Sequence, residues 1–223
     1  MQLYQHKSGL VLRKGSTDHK TLTEIKKQYT WMPVENKRVL DIGGCFGGYS
    51  CYAIIHGAKE VWCIEPEPRN YETVLLNVVN ARKQNKTCEV RTFPRALTWD
   101  KTEDIPFYLS TSGKSFGNFS TSNYRGREKI MVKTTKFRDI LEEFKPEVIK
   151  MDCEGQEYDL LREPLPDYVK YFTMELHFKS PSTVKPSWYE MAPDLLKIFK
   201  DWTTVKEPKL SPTLWQTIGG WKR

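Results

Sequence analysis

The sequence predicts an α/β fold: a mostly parallel sheet with helices on both faces and an antiparallel hairpin at one edge. Three observations carry this. From Lys37 onward, short apolar runs alternate with segments of helical period, the rhythm of parallel strands joined by crossover helices. The first apolar run ends in a glycine-rich turn, Gly43-Gly-Cys-Phe-Gly-Gly48. The last two runs, 203–206 and 213–221, leave little room for a helix between them, so they fold back on each other.

Each element follows from its residues. Residues 1–36 are polar with scattered aromatics and hold one helix, around 22–28. They are expected to cap a core running from 37 to 223, the whole forming one domain. Residues 37–43 read as a buried strand stopped by glycine. Residues 47–56 read as a helix ended by Gly57. Residues 60–65 form the second strand. Pro66-Glu-Pro68 then opens a helix whose Tyr71, Val74, Leu75, Val78 and Val79 share one face. Residues 87–93 are a third strand, and 105–109 a fourth that breaks the rhythm. Residues 110–128, rich in Ser, Thr, Gly and Asn, form a loop long enough to be functional. A strand at 129–134, a helix at 137–144, a strand at 147–152, a helix at 156–163, a strand at 169–177 and a helix at 186–199 complete the series.

A chain of 223 residues with 39% hydrophobic residues can bury a sizeable single core. The net charge of +7 suits nucleic acid, a phosphorylated substrate or an acidic glycan, and equally a solvated basic surface. The five cysteines, at 45, 51, 63, 88 and 153, include no Cys-x-x-Cys pair. Cys45, Cys51, Cys63 and Cys153 fall in apolar or glycine-rich segments and are expected to be buried thiols in a reducing compartment, the cytoplasm. The first residues lack the apolar core of a secretory signal, and no run approaches the roughly 18 apolar residues of a membrane helix, so no membrane association is expected.

The chemistry starts at the glycine turn. Glycines let a backbone approach a ligand closely, and ligands of open parallel sheets sit at the carboxyl ends of the strands. Glu65 ends the second strand, where an acid can accept hydrogen bonds from both hydroxyls of a ribose. A dinucleotide fingerprint needs glycine where this chain has Cys45, and no phosphate loop with Gly-Lys-Ser/Thr is present. Asp41, at the end of the first strand, would repel a pyrophosphate but bind the amino group of a methionine moiety. Asp41 and Glu65 together suit an adenosyl ligand that carries an amino acid.

The runs Asp41-Ile-Gly-Gly-Cys-Phe-Gly47, Glu65-Pro-Glu-Pro68 with Asn77, and Ile149-Lys-Met-Asp-Cys-Glu-Gly-Gln-Glu157, followed by Glu175-Leu-His177, resemble the FkbM family of S-adenosylmethionine-dependent methyltransferases. The likeness covers roughly residues 37–178. It departs at Gly44 and Cys45, where the family commonly has Ala and Asn, and Thr135-Lys-Phe-Arg-Asp139 is a loose version of a segment usually carrying Leu-Asp. The resemblance implies a seven-stranded, Rossmann-like class I methyltransferase fold and O-methylation of a small molecule, most often a sugar of a glycan. The cofactor-binding set it implies is Asp41, Gly43, Gly44, Cys45, Gly47, Tyr49, Ser50, Glu65, Pro66, Ala96 and Asp152.

In that fold the corner after the 147–152 strand faces the transferred methyl. Asp152, Glu154 and His177 are therefore the catalytic candidates, as a base for the acceptor hydroxyl or as ligands of a divalent cation, Mg²⁺ or Mn²⁺. Glu154 also reads as a plain helix-start carboxylate. Trp188 and Tyr189 read either as sugar-stacking aromatics or as core anchors. Lys114, Arg125 and Arg127 read as a substrate clamp or as a solvated loop. Two rival functions stand beside this one. An RNA 2′-O-methyltransferase would use a Lys-Asp-Lys-Glu set, for which Lys37, Asp152, Lys179 and Glu207 are available. A non-catalytic binding module on the same fold is suggested by the altered Gly44-Cys45.

Overall fold

The computed structural model describes residues 2–109, 128–178, 187–205 and 215–222. Lys114, Arg125, Arg127, Lys179 and Glu207 lie outside them, as does most of the expected 110–128 loop. The chain opens on a hairpin the sequence did not signal, β1 (Leu3–Gln5) antiparallel to β2 (Val11–Arg13). Three-residue strands are too short to display an alternating pattern. Helix α1 (Asp18–Gln28) begins four residues before the expected one, with Asp18 in its first turn and Lys26 and Lys27 in its last, each favourable to the helix dipole.

The next elements match expectation in type. They are β3 (Arg38–Ile42), α2 (Gly48–Ile55), β4 (Glu60–Ile64), α3 (Pro68–Arg82) and β5 (Glu89–Phe93). Helix α3 starts where Pro68 follows the N-cap Glu67, whose side chain accepts from the Asn70 N–H at 2.6 Å. Its buried face differs from the predicted one. Val74 and Val78 are buried, but Leu75 is 42% and Val79 60% exposed. The helix turns inward on Asn77 instead, which accepts from the Val11 N–H (2.6 Å) and donates to the carbonyls of Val11 (2.9 Å) and Phe46 (2.8 Å). A buried amide with three partners fixes the rotation more strongly than two valines and a leucine.

Beyond β5 come β6 (Ala96–Thr98), β7 (Ile105–Tyr108), β8 (Lys129–Val132) and β9 (Thr134–Lys136). The single strand expected at 129–134 is split: β8 pairs with β7 and β9 with β6, in two separate two-stranded sheets. Then follow α4 (Phe137–Phe144), β10 (Val148–Met151), α5 (Glu157–Leu160), β11 (Tyr171–His177), α6 (Trp188–Leu196), a 3₁₀ turn at Lys197–Phe199, β12 (Thr203–Thr204) and β13 (Trp215–Trp221). Helix α5 is a single turn rather than the predicted eight residues. Pro164 and Pro166 follow it closely, and a residue before proline avoids the helical region.

The main sheet has seven strands in the order β12-β13-β11-β10-β3-β4-β5. Strands β11, β10, β3, β4 and β5 are mutually parallel, and β13 runs antiparallel to both neighbours. Alternate residues of β3 feed the two faces: Leu40 and Ile42 enter one core cluster with α4 and α6, Val39 the other with α1 and α2. Strand order reverses between β3 and β10, so a crevice opens past their carboxyl ends. No described helix is long and apolar enough to cross a membrane.

Candidate active site

The crevice is built from a backbone that admits no side chain. Gly43 has φ 74°, and a Cβ there would stand 1.8 Å from the Asp152 carbonyl oxygen. Only glycine tolerates both conditions. A Cβ on Gly44 would meet Cys63 Sγ at 2.4 Å. This accounts for the glycine in a position where the family commonly has alanine: the chain places a thiol beneath it. The N–H groups of Gly43 and Gly44 both donate to the Ile64 carbonyl at 3.0 Å, pinning the turn to β4. Cys45 follows in the left-handed region, φ 54°.

Glu65, just past β4, is buried and accepts from the backbone N–H of Cys45 (2.7 Å) and of Glu67 (2.9 Å). Burial pushes its carboxyl up to about 7, outweighing those hydrogen bonds. Oε1 also accepts from Asn70 Nδ2 at 3.4 Å, while Oε2, with Cys45 N as its partner, keeps a second lone pair for a ligand donor. Arg13 of β2, also buried, ties the N-terminal hairpin to this end. It pairs with Asp18 at 2.6 Å, donates to Asn70, and lies 3.8 Å from Cys45 Sγ.

Asp41 is fully buried and already answered within the fold. It accepts from Ser50 N (3.0 Å) and Ser50 Oγ (2.7 Å), and Lys150 Nζ lies 3.2 Å away. Lys150 donates onward to the Gly43 carbonyl at 2.6 Å. The amino group that the sequence reading assigned to Asp41 therefore finds Lys150 in its place. Lys150 was not among the expected site residues. Its signal was present: a lysine within the apolar run Val148-Ile-Lys-Met must be paired if the strand is buried. Among described residues, Asp41 interacts strongly enough that Lys150 is raised above the ordinary lysine value, despite burial acting to lower it.

The second half of the crevice is acidic. Asp152 N donates to the Ile42 carbonyl at 3.0 Å, which sets Asp152 beside Gly43. Past it, Glu154 (φ 54°) and Gly155 (φ 103°) make a sharp turn. His177, at the end of β11, is buried among three carboxylates: Glu154 at 3.3 Å, Glu157 at 3.5 Å and Glu175 at 3.6 Å. Burial alone would lower its pKa, but Glu157 and Glu154 hold it well above the usual value. Glu157 also accepts from the Cys153 N–H at 3.0 Å, a structural task. Burial raises Asp152 to about 6 and raises Glu175 as well. Asp152, Glu175 and His177 present ligand atoms within 4.8 Å of one another.

These groups open into one cavity. Gly43, Gly44, Cys45, Tyr49, Lys150, Asp152 and Glu175 line it from the sheet side, and Thr21, Glu24, Ile25 and Tyr29 of α1 and its end close it. Of the expected residues, Asp41, Gly47, Ser50, Glu65, Pro66, Ala96, Glu154 and His177 lie outside that lining. Ala96 opens β6, away from the main sheet. Of the two aromatics, Trp188 is a core anchor, 3% exposed and stacked on Tyr158 at 5.9 Å, whereas Tyr189 is 44% exposed.

A family model, the methyltransferase FkbM domain, matches residues 41–202. The chain belongs to this family. Among solved structures, it is similar to the FkbM methyltransferase of Methylobacillus flagellatus, with 16% identity over 83% of this chain and 43% of that one (TM-score 0.48). It is also similar to the fibrillarin pre-rRNA processing protein of Methanococcus jannaschii (14% identity, 99% and 82% covered, TM-score 0.46). A third is Aeropyrum pernix fibrillarin with natively bound S-adenosylmethionine (14%, 98% and 81%, TM-score 0.44). No curated protein matches the sequence. The chain thus spans less than half the length of the Methylobacillus FkbM structure.

In this FkbM domain, Lys179 and Glu207 of the Lys-Asp-Lys-Glu candidates lie outside the described residues, and Lys37 stands apart from Asp152. Lys37 precedes β3 and pairs with Glu147 at 3.6 Å at the amino end of the sheet. The length of β3 separates it from Gly43, roughly 20 Å at the rise of a strand. The FkbM match also begins only at Asp41, so the part of the cavity wall supplied by residues 21–29 lies before it.

Proposed function

We propose that this chain moves the methyl group of S-adenosylmethionine to an oxygen of a small acceptor, a sugar hydroxyl of a glycan above all. The observation that carries this reading is the crevice at the β3–β10 switch point, with an acid at each side: buried Glu65 after β4 and half-buried Asp152 after β10. The family membership supports the reaction type. S-adenosylmethionine supplies an electrophilic methyl when bound, with its adenosyl ribose toward Glu65.

The charge balance fits such a ligand. Four carboxylates, of Asp41, Asp152, Glu154 and Glu157, face two cations, Lys150 and His177, and burial beside Asp152 pushes the Glu175 carboxyl up to about 9. A ligand bearing a sulfonium and an ammonium offsets that excess. Asp152 is the base: with its carboxyl near 6 it is ionised at neutral pH and takes the acceptor's proton as the oxygen–methyl bond forms and the carbon–sulfur bond breaks. His177 pairs with Glu154 and Glu175 and holds them in place. Loss of turnover in EDTA, restored by Mg²⁺ or Mn²⁺, would instead give Asp152, Glu175 and His177 the role of cation ligands. Five free cysteines, all at least partly buried, fit a reducing, cytoplasmic setting.

The test is calorimetric titration with S-adenosylmethionine, followed by transfer of labelled methyl to sugar and RNA acceptors. Asp152→Asn is expected to lower kcat by about 10²–10⁴-fold, well beyond its effect on cofactor affinity. Undiminished turnover in that variant would remove Asp152 as base. Transfer to RNA alone would move the acceptor to nucleic acid.

A further inference from the structure

Two hydroxyls in the cavity have no partner. Tyr29, at the end of α1, is 2% exposed, and Tyr49, in α2, is 1% exposed. Neither phenolic oxygen makes a hydrogen bond, and both side chains line the cavity beside Gly43, Lys150, Asp152 and Glu175. Their rings meet edge-on, centroids 6.1 Å apart at 76°, and Lys150 Nζ lies 5.7 Å from the Tyr29 ring centre. A buried hydroxyl without a partner is destabilising. Phenylalanine would fill the same volume without that cost. The proposed mechanism gives neither hydroxyl a task.

We infer that Tyr29 and Tyr49 donate their hydroxyls to the α-carboxylate of S-adenosylmethionine. The inference rests on the proposed cofactor. A phenol is a good donor to an ionised oxygen, and a carboxylate is the one anionic group of that ligand. The lining offers both kinds of group that an amino-acid zwitterion requires. Lys150 and the two hydroxyls are donors. Asp152, Glu175 and Glu24 are acids that can meet the ammonium and the sulfonium. Tyr29 precedes the segment that matches the family, so the N-terminal region supplies a binding group to the cofactor site rather than only a cover. Tyr49 is the neighbouring donor from within that segment.

The experiment compares two ligands. S-adenosylmethionine and decarboxylated S-adenosylmethionine are titrated calorimetrically into wild type, Tyr29→Phe and Tyr49→Phe, with melting curves of each unliganded protein. Each substitution is expected to weaken S-adenosylmethionine about tenfold or more, the range of a hydrogen bond to a charged group, and to leave the decarboxylated ligand unchanged. The unliganded Tm is expected to stay level or rise, since the hydroxyls have no partner to lose. Equal weakening of both ligands, or no weakening, overturns the carboxylate assignment. A fall in unliganded Tm would show a structural hydroxyl and overturn it too. Wild type that binds neither ligand would instead fail the proposed function, and this inference with it.

Discussion

Glu65 carries two opposed demands. Its backbone hydrogen bonds from Cys45 and Glu67 favour the ionised form, yet burial wins and raises the carboxyl from 4.5 to about 7. A carboxyl raised in the folded state binds its proton more tightly there than in the unfolded chain. Its contribution to stability is present below pH 4.5 and is lost as pH rises through about 7. Ribose hydroxyls prefer the ionised acceptor, so affinity runs the other way. Affinity for S-adenosylmethionine is expected to rise about tenfold between pH 6 and pH 8, as the ionised fraction grows. Glu65→Gln should flatten that rise and weaken binding throughout. Calorimetry across that range checks it, and an unchanged slope in the variant would place the titrating group elsewhere. Glu65, Gly43 and Asp152 were legible because each has a local mark: a strand end, a required glycine, an acid at a turn. Lys150 and Tyr29 were not chosen, because their roles depend on what lies across the crevice. Lys150 needs Asp41 from the neighbouring strand, and Tyr29 needs the path of the connection from α1 to β3.

At the scale of elements, the catalytic corner is held by a plug. Gly155 turns with φ 103°, and a Cβ on it would lie 1.9 Å from the Trp188 indole. Trp188 is fixed in turn by the first residues of α6, where Ser187 and Glu190 form a capping box, and by its stack on Tyr158, whose hydroxyl donates to the His177 carbonyl at 2.8 Å. The turn bearing Glu154 and the strand end bearing His177 thus share one aromatic support. Trp188→Ala is expected to cost about 3–5 kcal/mol of stability, read by urea unfolding, and to depress turnover more than cofactor affinity. Tyr189→Ala should cost far less, given its exposure. Equal losses for the pair would contradict the buried role of Trp188. The sequence reading placed the helix start at 186, within two residues of its first helical residue, Trp188. Which of two adjacent aromatics faced inward depended on Gly155, some thirty residues away, and no local periodicity encodes that. The same holds for α3, where the rotation followed the hydrogen bonds of Asn77 to β2 and the Phe46 carbonyl rather than the apolar count.

At the scale of the molecule, the parallel run of β3, β4, β5, β10 and β11 followed from alternation, while their order in the sheet and the placement of residues 1–36 did not. Leu10, Leu12, Leu22, Ile25 and Tyr29 share a core cluster with Val39, Phe46 and Tyr49. The N-terminal segment therefore joins the first half of the sheet, and α1 lies across the cavity mouth with Thr21, Glu24 and Ile25 on its lining face. A short helix of this kind is an element that opens locally at lower free energy than the central strands. A ligand bound only when the helix is closed must then slow its opening, by about 2.7 kcal/mol at a hundredfold excess over Kd, which is roughly hundredfold slower amide exchange. Hydrogen exchange with and without S-adenosylmethionine is expected to show added protection at 21–29 together with 41–50 and 150–153. The β7–β8 pair, in its own two-stranded sheet, should exchange alike in both states. Protection confined to 41–50 and 150–153 would mean that α1 covers the core without enclosing the cofactor, and the N-terminal segment would then be a packing element alone.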